Sequence, residues 1–307
     1  MDFPSRSALP LDERGAVVTV GTFDGIHLGH QQVLDEIARR GLRSGRRSVL
    51  VTFHPHPLRI VRPDSAPLLL SVPSEKKEVL ALSGVEYAVF VEFTPVLRDY
   101  SARRFVKEIL LDRIGMRELV IGYDHGFGRG REGTVDTMRE LGAEFGFAVD
   151  VVEAVSVDGG AISSSRIRDL LAAGDVAGAA RALGRNYSLQ GLVVEGMQRG
   201  RTLGFPTANI NIGDPEKLLP LEGIYAVYGW VDGERIPGLL HLGPRPTFSG
   251  FPPSIELHLL DWSGDLYGKM VRVEFQERLR AVEPFASVKE LVAQMHRDAE
   301  QGRAILR

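Results

Sequence analysis

Up to about residue 185, short β-branched runs alternate with helical stretches; beyond it, strand-like stretches follow one another without long helices. This change of texture constrains the fold more than any single motif, because the two patterns bury their apolar faces in different ways. Residues 15–20 form a β-branched run ending at Gly21. An amphipathic helix follows, with Val33, Leu34 and Ile37 on one face and an end near Gly41, and residues 48–53 are the next strand. Apolar runs at 87–93, 118–122 and 148–153 continue the alternation, separated by helical stretches at 102–114 and 134–145; residues 165–173 add a helix ending at Gly174. Such alternation predicts an α/β domain, a Rossmann-like parallel sheet with helices on both faces.

Past Arg185, strand-like stretches at 187–195, 207–212, 224–231, 239–243, 254–260 and 269–279 are punctuated by turns such as Val231-Asp-Gly-Glu234 and Trp262-Ser-Gly-Asp265. They predict a small antiparallel β-barrel or sandwich. A closing helix opens with the capping-box pattern Ser287-Val-Lys-Glu290 and carries Val288, Leu291, Val292 and Met295 on one face. The boundary is expected at roughly 182–187, giving domains 1–184 and 185–307. A chain of 307 residues is long enough for two such cores.

Composition excludes several classes of chemistry. With no cysteine, the chain can hold no disulfide, Cys-ligated zinc or iron–sulfur cluster and can use no thiol nucleophile. The net charge of −3 supplies no long-range pull towards nucleic acid or anionic lipid. No window approaches about 18 uninterrupted apolar residues, and the first fourteen residues show no signal-peptide pattern. The expectation is a soluble cytoplasmic protein with small-molecule substrates and neither nucleic acid nor membrane as partner; homo-oligomerisation is left open. The basic cluster Arg39, Arg40, Arg43, Arg46 and Arg47 reads most simply as a solvated helix end.

Glycine is concentrated where chemistry is expected. Gly21-Thr-Phe-Asp-Gly-Ile-His-Leu-Gly-His30 joins a strand to a helix N-terminus, where unpaired N–H groups favour anions. Gly21, Gly25 and Gly29 allow close backbone approach to a phosphate, and His27 and His30 stand where both rings can donate to phosphate oxygens. A glycine-rich turn with two surface histidines is the plain alternative. A second pair lies at Phe53-His-Pro-His-Pro57; the four histidines raise a zinc site, which is disfavoured because spacing supplies no carboxylate partner. Further on, Ile162-Ser-Ser-Ser-Arg-Ile-Arg168 sets helix-capping serines before Arg166 and Arg168, which can bind phosphate or simply lie exposed.

These residues together carry a resemblance. Gly-x-Phe-Asp-Gly-x-His-x-Gly-His with the later Ile-Ser-Ser-x-x-Ile-Arg resembles the nucleotidylyltransferase superfamily. With Phe53-His-Pro-His-Pro57 it resembles the FMN adenylyltransferase module of bacterial bifunctional riboflavin kinase/FAD synthetases. The resemblance implies that His27, His30, Ser164, Ser165, Arg166 and Arg168 handle the ATP phosphates and the departing pyrophosphate, with Gly21, Phe23, Asp24, Gly25 and Gly29 lining the phosphate site. It puts His54, Pro55, His56, Pro57 and Asp124 on the flavin side. Tyr123-Asp-His-Gly-Phe127, with His125, departs from the family's commoner Asp/Asn-Phe-x-Phe.

In the second half, Gly196-Met-Gln-Arg-Gly-Arg-Thr-Leu-Gly-Phe-Pro-Thr-Ala-Asn209 places Gly196, Gly200 and Gly204 in a phosphate-wrapping loop. The strand after it alternates: Thr207, Asn209 and Asn211 face one way, Ala208, Ile210 and Ile212 the other. Thr207 and Asn209 so present neutral oxygens suited to Mg²⁺; a half-exposed strand after a loop is the plain alternative. The segment through Gly200, Arg201, Gly204 and Pro206 to Asn209 resembles the riboflavin kinase signature, as do Gly243-Pro-Arg-Pro-Thr-Phe248 and Ile255-Glu-Leu-His-Leu259, while His241 stands where the family usually has Asn. Glu256 shares a face with His258, and the resemblance makes Glu256 the base that helps a ribityl hydroxyl attack ATP.

The expected function is therefore bifunctional: Mg-ATP-dependent phosphorylation of riboflavin to FMN, then adenylylation of FMN by ATP to FAD. The alternatives are a chain with one live module and a non-catalytic flavin-binding regulator.

Overall fold

Val17, Val18 and Val20 have no exposed face, and the strand they build, β1 (Ala16–Val20), is central in its sheet. A run apolar on both faces belongs in the middle of a parallel sheet covered by helices. The computed structural model describes residues 13–123, 126–196, 203–244 and 254–306. By internal contacts the chain divides into two compact units, residues 1–163 and 164–307.

In the first unit, β2 (Arg47–His54), β3 (Tyr87–Glu92), β4 (Met116–Gly122) and β5 (Ala148–Val152) join β1 in a parallel sheet of order β3-β2-β1-β4-β5. The reversal of strand order beside β1 leaves a crevice at the carboxyl ends of β1 and β4. Helix α1 (Leu28–Ser44) covers one face with Val33, Leu34 and Ile37. It runs through Gly41, the expected end, and stops at the left-handed Gly45, φ 66°. A Cβ on Gly41 would lie 2.9 Å from the Arg46 carbonyl, so this glycine serves close packing and not termination. Short helices α2 (Pro57–Val61), α3 (Pro73–Ala81), α4 (Pro95–Arg98) and α5 (Ala102–Phe105) follow, and a π-helical turn extends α5 through Leu111. Helix α6 (Val135–Phe145) leads into β5, and a two-stranded hairpin, β6 (Ser156–Val157) with β7 (Gly160–Ala161), closes the unit.

The arginines at 39–47 are not all solvated. Arg47 is 2% exposed and donates to the Ile114 carbonyl at 2.8 Å. Arg40 joins Glu36, Glu118 and Asp150 in one ion-pair network.

The second unit begins with α7 (Ser164–Ala172) and α8 (Val176–Leu183), which turn at Gly174, φ 80°. Six strands then close an antiparallel barrel of order β10-β11-β12-β9-β8-β13: β8 (Ser188–Val194), β9 (Ala208–Asn211), β10 (Gly223–Val231), β11 (Glu234–Gly243), β12 (Ser254–Leu259) and β13 (Met270–Arg280). Asp232 and Gly233, both at positive φ, make the tight β10–β11 turn that the sequence signals. Tyr225, Val227, Leu240, Leu257, Val273 and Phe275 are fully buried, and Gly229 leaves room for Leu257 and Leu259. Residues 164–184 side with the barrel: the Leu221 N–H donates to Leu171 at 2.9 Å, and a Cβ on Gly174 would meet Arg278. Contacts thus divide the chain before α7, whereas the texture changes where the strands begin.

Helix α9 (Val288–Ile305) starts at Ser287, whose Oγ accepts the Glu290 N–H. Val292, Met295 and Ala299 pack with Leu239, Ala226 and Phe205. Val288, expected on that face, is 48% exposed. Asp298, buried on the inner side of the helix, pairs with the partly buried Arg280 through two guanidinium nitrogens.

Candidate active sites

The turn from β1 into α1 is held in an unusual backbone shape. Phe23 and Ile26 have φ of 46° and 42°, and Gly25 between them has φ 81°. Positive φ at two non-glycine residues costs on the order of 1–3 kcal/mol each, so neighbouring structure must impose it. It does. Both Asp24 carboxylate oxygens accept backbone N–H groups, from Leu70 and Ser71, at 3.1 Å. Ser71 Oγ accepts the Gly25 N–H at 3.0 Å, and the Thr22 carbonyl receives Lys76 Nζ at 2.8 Å and Thr52 Oγ1 at 3.0 Å. Lys76 is 8% exposed; burial lowers its pKa and the nearby Asp24 charge opposes that shift.

The turn delivers two stacked imidazoles. His27 and His30 lie with ring centroids 3.6 Å apart, and Phe23 backs His30 at 4.5 Å. His27 caps α1, its Nδ1 accepting the His30 N–H, so a neutral ring carries its proton on Nε2. A Cβ on Gly29 would press within 3.3 Å of the His27 ring, which explains that glycine. The first turn of α1 holds no acidic residue, so nothing there competes with an anion for the helix N-terminus. Two expected phosphate contacts have other work: Asp24, 1% exposed, is turned into the backbone of residues 70–71, and Phe23, 4% exposed, is core. Beside the helix start, a groove of about 840 Å³ runs between α1 (Leu28, Gln31, Asp35) and the end of β5 (Val152, Glu153).

His54 ends β2, His56 caps α2 by accepting the Leu58 N–H at 3.2 Å, and Pro57 opens that helix. Asp124 and His125 lie outside the described residues. Ser164, Ser165, Arg166 and Arg168 all fall in the first turns of α7, in the second unit, which Ile167 and Leu171 anchor by complete burial. Among the described residues, no three His, Asp or Glu side chains gather as a metal-binding group.

On the barrel, strand register assembles what the sequence spreads over sixty residues. Glu256 on β12 lies opposite Asn209 on β9 and opposite His241 on β11. One carboxylate oxygen accepts Thr207 Oγ1 at 3.1 Å, the other Ser254 Oγ at 2.8 Å. Thr207 donates its proton to Glu256, which leaves its lone pairs for a cation. Gly196 is needed for contact: a Cβ there would stand 1.9 Å from Asn209 Nδ2. His258, on the Glu256 face, bonds the Pro206 carbonyl through Nδ1 at 2.8 Å, and burial lowers its pKa. Gly204 has φ 83°, which fits its expected place in a tight loop, while Gly200, Arg201 and residues 245–253 lie outside the described residues.

Residues 9–166 match the FAD synthetase family model and residues 183–306 the riboflavin kinase model. A bifunctional riboflavin kinase/FMN adenylyltransferase of Pseudomonas fluorescens is 37% identical over 295 residues, covering 96% of this chain and 94% of that one. The chain belongs to the bifunctional riboflavin kinase/FMN adenylyltransferase family. Family members from Escherichia coli (strain K12) and Bacillus subtilis (strain 168) are 36% and 34% identical, over 93% and 94% of this chain and 91% and 92% of theirs. A crystal structure described as a macrolide-efflux protein from Streptococcus pneumoniae superposes with a TM-score of 0.86 at 30% identity, covering 95% of each chain. No helix among the described residues is long and apolar enough to cross a membrane.

The sequence does not single out Ser71, Lys76 and Ser254. Their contacts join residues 46, 54 and 2 apart, and only the last spacing has a local signature.

Proposed function

We propose that this chain phosphorylates riboflavin to FMN on its barrel and adenylylates FMN to FAD through its α/β unit. The observation that carries the reading is the Glu256 carboxylate, fixed between the Thr207 and Ser254 hydroxyls and in register with Asn209. A lone glutamate on a strand needs no such setting. A nucleophilic hydroxyl does, because it must lose its proton as it attacks.

In the kinase step, the 5′-hydroxyl oxygen of the ribityl chain bonds to the γ-phosphorus as the bond to ADP breaks, and Glu256 takes the hydroxyl proton. Thr207 Oγ1 and the Asn209 side-chain carbonyl are hard oxygen donors beside a carboxylate, a set that fits Mg²⁺. Bound there, Mg²⁺ would offset the negative charge of the ATP phosphates. Gly196 keeps the space that Asn209 occupies, and His258 holds the backbone next to Thr207.

In the adenylyl step, an FMN phosphate oxygen bonds to the α-phosphorus of ATP and pyrophosphate leaves. His27 and His30, with the N-terminus of α1 and Gly21, Gly25 and Gly29, are assigned to the phosphates; family resemblance is what assigns Ser164, Ser165, Arg166 and Arg168 to phosphate binding. The acidic groove beside α1 suits an uncharged base and ribose better than a triphosphate. His54–Pro57 and Asp124 remain the flavin-side assignment. The domains are read as 1–184 and 185–307, and the chain as cytoplasmic.

Purified protein with riboflavin, ATP and Mg²⁺, its products resolved by chromatography, tests the reading. FMN followed by FAD supports it, FMN alone leaves one live module, and neither product overturns it.

A further inference from the structure

His27 and His30 are delivered by the β1–α1 turn, yet that turn does not hold its own shape. Phe23 and Ile26 both sit at positive φ, and Asp24, Gly25 and Thr22 are each bonded to side chains or amides from elsewhere. All but one of those partners belong to one short segment, Leu70 to Lys76, which runs into α3. It meets the turn at three successive points: Lys76 Nζ on the Thr22 carbonyl, the Leu70 and Ser71 amides on Asp24, and Ser71 Oγ on the Gly25 N–H.

The segment is also built in an odd way for a surface helix. The buried positions of α3 are Glu75, Lys76 and Leu80, two of them charged. Glu75 turns back to accept the Val72 N–H at 3.2 Å, closing the helix start, while Lys76 reaches under the turn. A buried ammonium is costly, and an apolar side chain would pack there with less penalty. Its retention at this place is explained if the turn needs it.

We propose that Ser71 and Lys76 are positioning residues for adenylyl transfer, holding the Thr22–Gly25 backbone in the one shape that presents His27, His30 and the α1 amides to the ATP phosphates. The proposal rests on the assignment of His27 and His30 to that step. Ser71 and Lys76 are buried, 4% and 8% exposed, and are assigned no contact with substrate. Both act by denying the turn its relaxed conformations, in which residues 23 and 26 would return to negative φ and the stacked imidazoles would part.

The test uses the full chain, with FAD formation from FMN and riboflavin phosphorylation measured on the same preparations. Ser71→Ala removes the acceptor for Gly25, and Lys76→Met keeps most of the volume while removing the donor to Thr22. A turn that samples other shapes binds phosphates more weakly. Each variant should therefore raise KM for ATP in FAD formation about tenfold, as one lost polar contact would, and leave KM for FMN within about twofold. Riboflavin phosphorylation should be unchanged. Partial unfolding cannot mimic this, since a smaller folded fraction lowers Vmax and leaves both KM values alone. Unchanged KM for ATP in both variants, whatever happens to Vmax, overturns the proposal while His27→Ala still abolishes FAD formation. If His27→Ala forms FAD at the normal rate, the assignment beneath the proposal fails and the proposal goes with it.

Discussion

Glu256→Gln is the most direct probe of the barrel chemistry, because the structure isolates what the change removes. Glutamine matches glutamate in shape, and the two hydroxyls that donate to the carboxylate, Thr207 and Ser254, can rotate; the one facing the new NH₂ then accepts instead of donating. Packing is preserved, so the fold should lose no more than about one charge-assisted bond in a half-exposed setting, on the order of 1 kcal/mol. In the proposed mechanism, what disappears is the proton acceptor. General-base assistance is typically worth about 10²–10⁴-fold, or about 3–5 kcal/mol of barrier. FMN formation from riboflavin should accordingly fall at least about 10²-fold. The same preparation, given FMN, should make FAD at nearly the wild-type rate, because that reaction belongs to the other module. Two initial-rate assays on one sample therefore separate lost chemistry from lost protein. Full riboflavin phosphorylation by Glu256→Gln would show that the two hydroxyls merely tether a surface carboxylate, and that the base lies elsewhere or is not needed.

Gly196→Ala should lower FMN formation at least about tenfold, since the new methyl falls on the Asn209 amide and must displace it; a normal rate would remove Asn209 from the site. Asp298→Ala should destabilise the barrel by about 1–3 kcal/mol in denaturant melts, because the partly buried Arg280 keeps only Glu283 and the Ala281 carbonyl as polar partners among the described residues; no measurable change would mean the pair is solvated. The Glu36 pKa is lowered from 4.5 to about 2, through hydrogen bonds from Arg39 and then Arg40 against some desolvation, so its contribution to stability is complete above pH 4.5 and is lost as pH falls towards 2. Glu36→Gln should flatten the acid limb of the melting-temperature profile, more so at low salt. Residues 164–307 expressed alone should melt above residues 186–307, since Val176, Ala179, Ala182 and Leu183 are buried in that unit; equal melting temperatures would show that α7 and α8 add nothing to the stability of the barrel.

What the sequence made legible followed local period and local turn chemistry. The β1–α1 turn announced itself through glycine and histidine at a strand-to-helix junction, and the face shared by Thr207 and Asn209 followed from simple alternation, which the burial of Ala208 and Ile210 repeats. Helix α3 was not legible because its inward positions are Glu75 and Lys76, so no apolar period marks it. Helix α8 hid among small residues, Ala179 and Ala182, whose burial is a matter of close approach more than hydrophobicity. The arginines at 39–47 look alike in the sequence, yet Arg47 is core and Arg40 is the hub of an ion-pair network. That difference depends on partners at 114, 118 and 150, which no window around residue 40 contains.

The two modules also differ in how they treat a carboxylate, and the difference follows from their nucleophiles. FMN brings a phosphate whose second pKa near about 6 leaves it ionised at neutral pH, so adenylyl transfer needs no base. A free carboxylate at that site would only repel the incoming anions. The α/β unit has its one turn carboxylate, Asp24, bonded to two amides and buried, with no acid in the first turn of α1. Riboflavin brings a neutral hydroxyl, and there a carboxylate near the phosphates is useful if its repulsion is offset. On the barrel Glu256 is kept half-exposed, with hydroxyl donors on both oxygens and the neutral Asn209 side chain in register alongside. The same functional group is thus hidden in one unit by the remote amides of Leu70 and Ser71, and presented in the other between a strand neighbour, Ser254, and the remote Thr207.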